Sequence, residues 1–300
     1  MSAILVSGLI NVETTIRVDG FPIPYAPVHY PFFGVNSRVS GVGYNVAKAL
    51  MTLGDAVRFL SLVGADAAGR LVADALQGDG IPAGRILPRL PQTAQSAILY
   101  DPTGRRQIHV DLKDIQERVY PVELFDEASA GCALAVLCNI NFSRPFLARA
   151  RQLGIPIATD VHTIGDLADA YNRDFMAAAE ILFMSDERLP CAPEAWIREL
   201  WNRYGMEIAV VGLGSQGALL GVRRDRFLER MPAVATRPIV NTIGAGDALF
   251  SAFVHFYART RDPYDAIRRA NVFASYKIGE ASAAEGFLTE AKLDDLLRER

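Results

Sequence analysis

The architecture of this chain follows from Asn241-Thr242-Ile243-Gly244-Ala245-Gly246-Asp247, a segment that runs directly into the apolar residues 248–253. Its small residues and glycines leave backbone N–H groups uncovered where a helix is predicted to begin, and such groups bind anions. The carboxylate of Asp247 falls in the first helical turn, beside this anion pocket. A phosphate-binding loop with a base next to it indicates phosphoryl transfer. The alternative is a plain tight loop whose acidic residue complements the helix dipole.

A second glycine-rich segment lies far upstream and also leads into a predicted helix. It reads Ser40-Gly41-Val42-Gly43-Tyr44-Asn45-Val46-Ala47. Two such loops in one domain are difficult to explain by turns alone, so the pair favours the phosphate-binding interpretation.

Together the two segments resemble the paired signatures of the ribokinase family of sugar and nucleoside kinases, also called the PfkB carbohydrate kinases. The second signature, Asp-Thr-x-Gly-Ala-Gly-Asp, matches residues 241–253, with Asn241 in place of the more common Asp. The first signature has Ser40 where the family usually has glycine or alanine, and it continues with Gly41, Gly43, Asn45, Gly54 and Gly64. The resemblance covers essentially the whole chain.

The resemblance implies an α/β fold: a doubly wound, mostly parallel sheet flanked by helices, with a small β-sheet lid. It also implies ATP-dependent phosphorylation of a hydroxyl of a sugar or nucleoside. Asp247 would be the general base, and Gly244, Ala245 and Gly246 would offer N–H groups to the transferring phosphoryl. The implied cofactors are ATP and Mg²⁺, and a monovalent cation is an option.

Substrate and nucleotide sites are carried over from the same resemblance. Residues 8–13 lie over the family's Gly-x-x-Asn-x-Asp, with Glu13 one methylene longer than Asp. The implied substrate-binding residues are Asn11, Glu13, Gly41, Gly43 and Asn45. The implied nucleotide-binding residues are Gly214, Ser215, Gly217, Thr242 and Asn271. Two alternatives stay open: Glu13 could be a solvated carboxylate at a strand end, and Asn45 could be a helix cap.

The metal site departs most from the family pattern. The family's Asn-x-x-Glu falls near residues 185–188, where Ser185 replaces the Asn and Arg188 the Glu. Asp186 or Glu187 could therefore act on Mg²⁺ through water.

Two further groups of basic side chains bear on the substrate. Arg105 and Arg106 flank a predicted lid turn, where they are either solvated or bind a substrate phosphate. Of the four histidines, we expect only His29 and His109, on predicted lid strands, to approach a substrate.

A competing motif occurs at residues 212–217, which spell the dinucleotide fingerprint G-x-G-x-x-G. That fingerprint requires a helix next, but residues 218–222 have the pattern of another strand, so a nicotinamide site is disfavoured. No Walker A loop occurs, so ATP must be held by backbone donors.

Composition excludes several classes of protein. A net charge of −3 and a pI near 5.9 give no basic field, and we expect no nucleic-acid partner. Three cysteines are too few for a disulfide framework. The N-terminus has neither a basic region nor an apolar run long enough for a signal peptide or membrane span. We therefore expect a cytoplasmic enzyme with no membrane partner.

The strand pattern predicts one domain over residues 1–300, with a lid formed by about residues 11–36 and 94–112. Four prolines between residues 22 and 31 exclude a helix and suit edge strands. Strands over 96–100 and 107–112 flank a turn at 101–104. The predicted strands of the main sheet are 4–6, 57–63, 133–137, 155–159, 181–184 and 208–211, alternating with helices that include 44–53 and 69–76.

Exposed edges and aromatic side chains of the lid predict a homodimer formed through the lid. Two other functions remain open. A phosphosugar kinase would need a cationic pocket at the distal end of the substrate. A catalytically inactive, sugar-binding regulator would keep the fold without turnover.

Overall fold

Strands and helices alternate along the chain and build a nine-stranded sheet, as described by a computed structural model for residues 3–299. All pairings in this sheet are parallel except those of β12 with β11 and β13. The strands, in their order across the sheet, are β13 (Phe227–Met231), β12 (Ala218–Val222), β11 (Ile208–Gly212), β10 (Ile181–Ser185), β9 (Ile157–Thr163), β8 (Cys132–Leu137), β1 (Ala3–Ser7), β4 (Val57–Gly64) and β5 (Ile86–Leu90).

Helices cover both faces of this sheet, because its strands carry apolar side chains on both sides. In β1, Ile4 and Val6 belong to one hydrophobic cluster and Leu5 to the other. Continuous apolar strands of this kind are typical of parallel sheets buried on both faces. The doubly wound α/β fold is confirmed. The helices are α1 (Val42–Leu53), α2 (Ala67–Gly78), α3 (Val122–Ser129), α4 (Arg144–Gln152), α5 (Arg173–Ala178), α6 (Pro193–Tyr204), α7 (Ala245–Thr260), α8 (Pro263–Lys277) and α9 (Glu290–Arg298).

Helix α7 is buried on all sides over ten consecutive residues, which explains the largely apolar run after Asp247. Every residue from 248 to 257 is buried, where α7 packs against α1 and α8. A helix that is apolar on all sides belongs inside a protein. Gly244 precedes the helix with φ 75, a conformation that favours glycine, and an added Cβ would lie 2.7 Å from the Ala283 carbonyl oxygen.

A separate four-stranded sheet projects from the main one. Its strands are β3 (Val35–Ser40), β2 (Asn11–Arg17), β6 (Gln95–Tyr100) and β7 (Arg106–Asp111), in that order. Strand β2 pairs in parallel with β6, and the outer pairs are antiparallel. We call this small sheet the lid sheet. Its strands fall within the predicted lid spans, except that β3 continues to Ser40.

The prediction of edge strands in the proline-rich segment was wrong. The structure describes every residue from 18 to 34, and none of them is in a strand. Proline lacks the N–H that a strand donates to its neighbour, so β2 ends at Arg17 and pairing resumes only at Val35. The predicted strand at 155–159 is also shifted, to Ile157–Thr163.

The structure of residues 214–222 does not match the strand–helix unit that a dinucleotide fingerprint requires. A single 3₁₀ turn at Gly214–Gln216 joins β11 to β12, and the two strands pair antiparallel. The βαβ unit that a nicotinamide site needs is therefore absent from this described segment. The predicted domain of residues 1–300 includes residues 1, 2 and 300, which lie outside the described range. Within residues 3–299, no helix has the combined length and apolar character to cross a membrane.

Candidate active site

The candidate site lies at the carboxyl ends of the central parallel strands, where ligands bind in open α/β sheets. Strand β1 leads there into Gly8 and the lid strand β2, and helices α1 and α7 begin there with their N-termini. The two glycine-rich segments are thereby brought together, although they are far apart in sequence.

Asp247 is joined to the other glycine-rich segment by a chain of side-chain hydrogen bonds. Asn45 Nδ2 donates to Asp247 Oδ2 over 2.7 Å, and Asn45 Oδ1 lies 3.3 Å from the Ser40 hydroxyl. The same hydroxyl lies 3.3 Å from Glu13 Oε2. Ser40, a departure from the family's glycine or alanine, therefore lies between Glu13 and Asn45, and its single hydroxyl proton can be donated to either of these acceptors. These contacts link two carboxylates across the site.

The structure excludes the two alternative interpretations, a helix cap for Asn45 and a solvated carboxylate for Glu13. Helix α1 is capped by Gly41 without a side-chain hydrogen bond, so Asn45 is not a cap. Glu13 is only 8 % exposed and is not a solvated carboxylate. Burial raises its pKa, and the neighbouring charge of Asp247 acts in the same direction, whereas the Ser40 hydroxyl opposes the shift.

Burial also raises the pKa of Asp247 above its ordinary value. The hydrogen bond from Asn45 and the neighbouring His162 and Lys277 act against that rise, while Asp160 adds to it. A carboxylate with a raised pKa is a better proton acceptor once it is ionised.

His162 and Asp160 are functional candidates that the sequence interpretation missed, because it singled out His29 and His109 instead. His162 follows the end of the buried part of β9 with φ 58, and its N–H donates to Asp160 Oδ1 over 2.8 Å. Both side chains lie close enough to Asp247 to change its pKa. His109 is instead an exposed residue of β7, and His29 an exposed residue of the 18–34 segment. The rule that strand ends carry the site could have found Asp160, which follows an apolar strand pattern.

The three predicted anion-binding N–H groups are not equivalent. The Ala245 N–H donates to the Thr242 carbonyl over 3.2 Å, within the turn. The N–H groups of Gly244 and Gly246 have no acceptor among the described residues, and an added Cβ on Gly246 would meet open space. Uncovered donors at a helix N-terminus are suited to an anion.

Gly41 and Gly43 have a packing role that accounts for their presence. An added Cβ on Gly43 would lie 2.5 Å from the carbonyl carbon of Gly8, and one on Gly41 would lie 2.6 Å from the Leu9 carbonyl oxygen. Asn11 is buried, with Nδ2 donating to the Ser96 hydroxyl over 3.1 Å and Oδ1 without a partner among the described atoms. Contact of these residues with a substrate stays a prediction.

The predicted nucleotide residues come from separate elements. Gly214, Ser215 and Gly217 form the turn between β11 and β12, where Gly217 has φ 96. Asn271 is half-buried on α8, a helix that packs against β12 and β13. Strand β12, which follows the turn, therefore contacts α8. Binding of ATP between them stays a prediction.

Arg106 joins the lid sheet to the loop before α7. Its Nη1 donates to the Thr242 hydroxyl over 2.8 Å, and its Nη2 lies 3.4 Å from Glu187 Oε1. Arg105, by contrast, lies over the Phe21 ring, with 5.5 Å from its guanidinium carbon to the ring centroid. Only one of the two arginines therefore reaches the site.

The predicted metal residues Asp186 and Glu187 are exposed in the loop after β10. Among residues 3–299, no group of three or more His, Cys, Asp or Glu side chains is arranged to hold a metal ion. Mg²⁺ at phosphoryl-transfer sites needs only one or two carboxylates together with water and the phosphates themselves. Asp160, Asp186 and Glu187 fit that sparse requirement.

A hollow opens from Glu13 along the lid sheet toward the loop after α8. Arg38 Nε lies 3.7 Å from Glu285 Oε1 across it. Most of the lining residues are of polar type, and they include Glu13, Thr15, Asn36, Arg38, Tyr100, Ser282 and Glu285. Hydroxyl, amide and carboxylate groups in one hollow are suited to a ligand with many hydroxyl groups.

Known proteins resemble this chain over nearly its full length. It is 25 % identical to an acarbose 7(IV)-phosphotransferase from Actinoplanes sp. over 292 residues, which cover 97 % of this chain and 96 % of the relative. It is 27 % identical to an ATP-dependent ribose-1-phosphate kinase from Halopiger xanaduensis over 308 residues, which cover 97 % and 99 % of the two chains.

Comparison with solved structures agrees with these matches. A microbiome-derived acarbose kinase superposes with a TM-score of 0.89 at 27 % identity, covering 99 % of each chain. The sequence profile of the pfkB family carbohydrate kinases matches residues 1–137 and 168–290. The chain therefore belongs to the pfkB family of carbohydrate kinases, phosphotransferases with an alcohol group as acceptor.

Proposed function

We propose that this kinase transfers the γ-phosphoryl group of ATP to an exposed hydroxyl of a neutral sugar or a nucleoside, with Asp247 as the general base. The observation that carries the proposal is the hydrogen-bonded chain from Asp247 through Asn45 and Ser40 to Glu13. It holds one carboxylate at the anion-binding N-terminus of α7 and a second at the mouth of the polar hollow. A hydroxyl placed between them would be both bound and deprotonated.

Asp247 performs the proton transfer in this mechanism. Asn45 fixes one carboxylate oxygen, Oδ2, which leaves Oδ1 to accept the proton of the attacking hydroxyl. The resulting alkoxide attacks the γ-phosphorus, and the bond to the ADP oxygen breaks. Phosphoryl transfer needs positioning and neutralisation of charge more than covalent participation by the protein.

The N–H groups of Gly244 and Gly246, with Ala245 between them, would bind the transferring phosphoryl oxygens. Thr242 and Arg106 lie beside them and would contact the same phosphate chain. The turn at Gly214, Ser215 and Gly217 and the amide of Asn271 would hold the rest of the nucleotide. Mg²⁺, when bound, would neutralise phosphate charge, with Asp186 or Glu187 holding its water ligands.

The hollow favours a neutral acceptor over a sugar phosphate. Glu13 and Glu285 bring negative charge to it, and the cation that faces it, Arg38, is paired with Glu285. A phosphate on the distal end of the substrate would be repelled by the carboxylates unless Arg38 left its partner. The relative that is named a ribose-1-phosphate kinase supports the phosphosugar kinase as the second candidate.

A panel of acceptors tests the proposal through ADP release. It should contain ribose, fructose, a nucleoside, acarbose and ribose 1-phosphate. We expect turnover with at least one neutral acceptor and a loss of about 10²- to 10⁴-fold in kcat for Asp247→Asn. Asp166→Asn, an exposed aspartate in the loop after β9, is the matched control and should keep wild-type turnover.

Three results would contradict the proposal in different ways. Turnover with ribose 1-phosphate alone would favour the phosphosugar kinase. A rise in melting temperature with a sugar, without any ADP release, would favour an inactive sugar-binding regulator. Near wild-type turnover by Asp247→Asn would remove Asp247 as the base.

The lid sheet also supports a homodimer. Ile108 and Val110, which share one face of the lid sheet, are exposed, and Val35 is exposed on the opposite face. Tyr30 and Phe32 are exposed in the adjoining segment. Exposed apolar side chains of this kind on a lid are suited to contact with a second copy of the chain.

A further inference from the structure

Lys277 is a fully buried lysine in the last turn of α8. Lysine is almost never fully buried without a partner, because burial of an ammonium group is costly. Its Nζ donates a hydrogen bond to the carbonyl oxygen of Ile243, immediately before Gly244. The proposed phosphoryl transfer does not assign a role to the Lys277 ammonium group.

The segment around Ile243 is fastened to the end of α8 by further hydrogen bonds. The N–H groups of Val240 and Asn241 donate to the Ile278 carbonyl over 2.9 and 3.2 Å. Asn241 Nδ2 donates to the Ala281 carbonyl over 2.7 Å, and Asn241 Oδ1 accepts from the Ile243 N–H over 3.0 Å. An aspartate at position 241 could not donate a hydrogen bond to the Ala281 carbonyl. This bond gives a physical reason for the asparagine found at this position.

These contacts orient the loop before α7. The carbonyl of Ile243 points toward α8 and the ammonium, whereas the N–H groups of Gly244 and Gly246 have no acceptor within residues 3–299. The loop therefore directs the N–H groups of Gly244 and Gly246 toward the cleft and the Ile243 carbonyl toward the Lys277 ammonium. Loss of the ammonium would leave a buried carbonyl without a donor and allow the loop to turn.

The charges around Lys277 are those of the site itself. Asp247 on α7 and Glu13 on β2 act on it most strongly, followed by Glu285 and Glu280 in the segment after α8. A bound triphosphate would add more negative charge at the same place. A cation held in position by the fold stabilises such charge without any reorganisation.

We propose that Lys277 is a positioning residue whose ammonium group supplies a built-in cation beneath the anion-binding loop, so that this kinase works without a monovalent metal ion. The proposal rests on the proposed function. A potassium or ammonium ion would need carbonyl oxygen ligands and neighbouring carboxylates, and the lysine already uses the Ile243 carbonyl in that way. The residues present therefore fit a tethered ammonium rather than a free ion.

The first test uses the wild-type enzyme alone. Turnover is measured at constant ionic strength with choline, Na⁺, K⁺ or NH₄⁺ as the monovalent cation. We expect kcat to differ by less than about twofold among the four, because the required charge is already fixed in the protein. Activation by K⁺ over choline of about tenfold or more would overturn the proposal while leaving the kinase assignment intact.

The second test removes the ammonium. For Lys277→Ala we expect kcat to fall by about 10- to 100-fold, with a much smaller change in KM for the acceptor. Addition of NH₄⁺ or K⁺ should restore much of that loss and raise the melting temperature of the variant but not of the wild type. Lys277→Met, which fills the space without a charge, should lose kcat without such rescue.

Lys292→Ala, at an exposed lysine of α9, is the matched control and should behave as wild type. Retention of kcat by Lys277→Ala and Lys277→Met would overturn the proposal. A loss in Lys277→Ala that neither cation restores, with an unchanged melting temperature in both salts, would also overturn it. Failure of the kinase assignment looks different, since the wild type would then release no ADP with any acceptor in any salt.

Discussion

Asn45 Nδ2 lies 2.7 Å from Asp247 Oδ2, although the two residues are 202 positions apart in the chain. The bond joins the N-terminal turns of α1 and α7, so each glycine-rich loop positions the other. Asn45 also lowers the pKa of Asp247 against the effect of burial. The acid-base behaviour of the proposed catalytic base is therefore set in part by the upstream loop.

The first prediction concerns the pH dependence of turnover in Asn45→Ala. The base must be ionised, so activity falls as the pH drops through the pKa of Asp247. Removal of a hydrogen bond that lowers this pKa should move the acid limb of the kcat profile to higher pH. His162 also lowers the pKa of Asp247, so His162→Gln should move the limb in the same direction.

His109→Gln, at an exposed histidine of β7, is the control and should leave the acid limb unchanged. Profiles are measured with saturating acceptor and ATP. An acid limb that stays in place in Asn45→Ala, or moves to lower pH, would contradict the role given to this hydrogen bond.

The second prediction compares two adjacent arginines. Arg106 bonds to the Thr242 hydroxyl, whereas Arg105 lies over the Phe21 ring. We expect Arg106→Ala to lower kcat/KM by about tenfold or more, because charge-assisted contacts to phosphate are strong, and Arg105→Ala to lower it much less. Steady-state kinetics with both substrates varied would measure this. Equal losses in the two variants would contradict a specific role for Arg106.

The sequence was sufficient to predict the doubly wound sheet, because long apolar strand patterns alternate with helical ones. It was also sufficient to bring the two glycine-rich segments together, through their resemblance to paired family signatures. The proline-rich segment was mispredicted, since a lack of N–H donors suits an edge strand and an irregular segment equally.

Other features of the site could not be predicted from local patterns. Lys277 falls at the end of an ordinary helical pattern, and nothing near it in sequence indicates that its side chain reaches Ile243. The role of Ser40 depends on Glu13 and Asn45 meeting the same hydroxyl, which is a matter of tertiary placement. A lone histidine such as His162 has no local sequence signature that would indicate a role in the site.

The third prediction concerns the close approach of α1 to the end of β1. A Cβ on Gly43 would lie 2.5 Å from the Gly8 carbonyl carbon, so Gly43→Ala should lower the free energy of unfolding by about 1–3 kcal/mol. Gly78→Ala, in the last turn of α2, meets no atom within 4 Å and should be neutral or slightly stabilising. Urea denaturation measures both. A neutral Gly43→Ala would show that the loop has room to move.

The fourth prediction concerns the homodimer. Val110 on β7 is 52 % exposed and shares a face of the lid sheet with Ile108, whereas Leu153, at the end of α4, is 43 % exposed on a helix that packs against β8 and β9 of the main sheet. Val110→Arg should shift sedimentation from dimer to monomer, because a charge in an apolar interface is costly. Leu153→Arg should not. A wild-type protein that sediments as a monomer at micromolar concentration would contradict dimerisation through the lid.

The fifth prediction follows from the pKa of Lys277, which burial lowers from 10.5 to about 8 while the charge of Asp247 opposes the shift. Between these two values the unfolded chain holds a proton that the folded chain has released, so the free energy of unfolding rises with pH. Below about pH 8 both states are protonated, and this contribution is flat. Lys277→Met lacks it entirely. The stability of the wild type relative to Lys277→Met should therefore increase as the pH rises from about 8 to 10.5. The increase should be no more than a few kcal/mol, because a shift of one pKa unit corresponds to about 1.4 kcal/mol. Denaturant titrations at several pH values measure it, and titrating tyrosines common to both proteins cancel in the difference. A difference that stays constant over this range would mean that the lysine keeps an ordinary pKa and is not held in a buried environment.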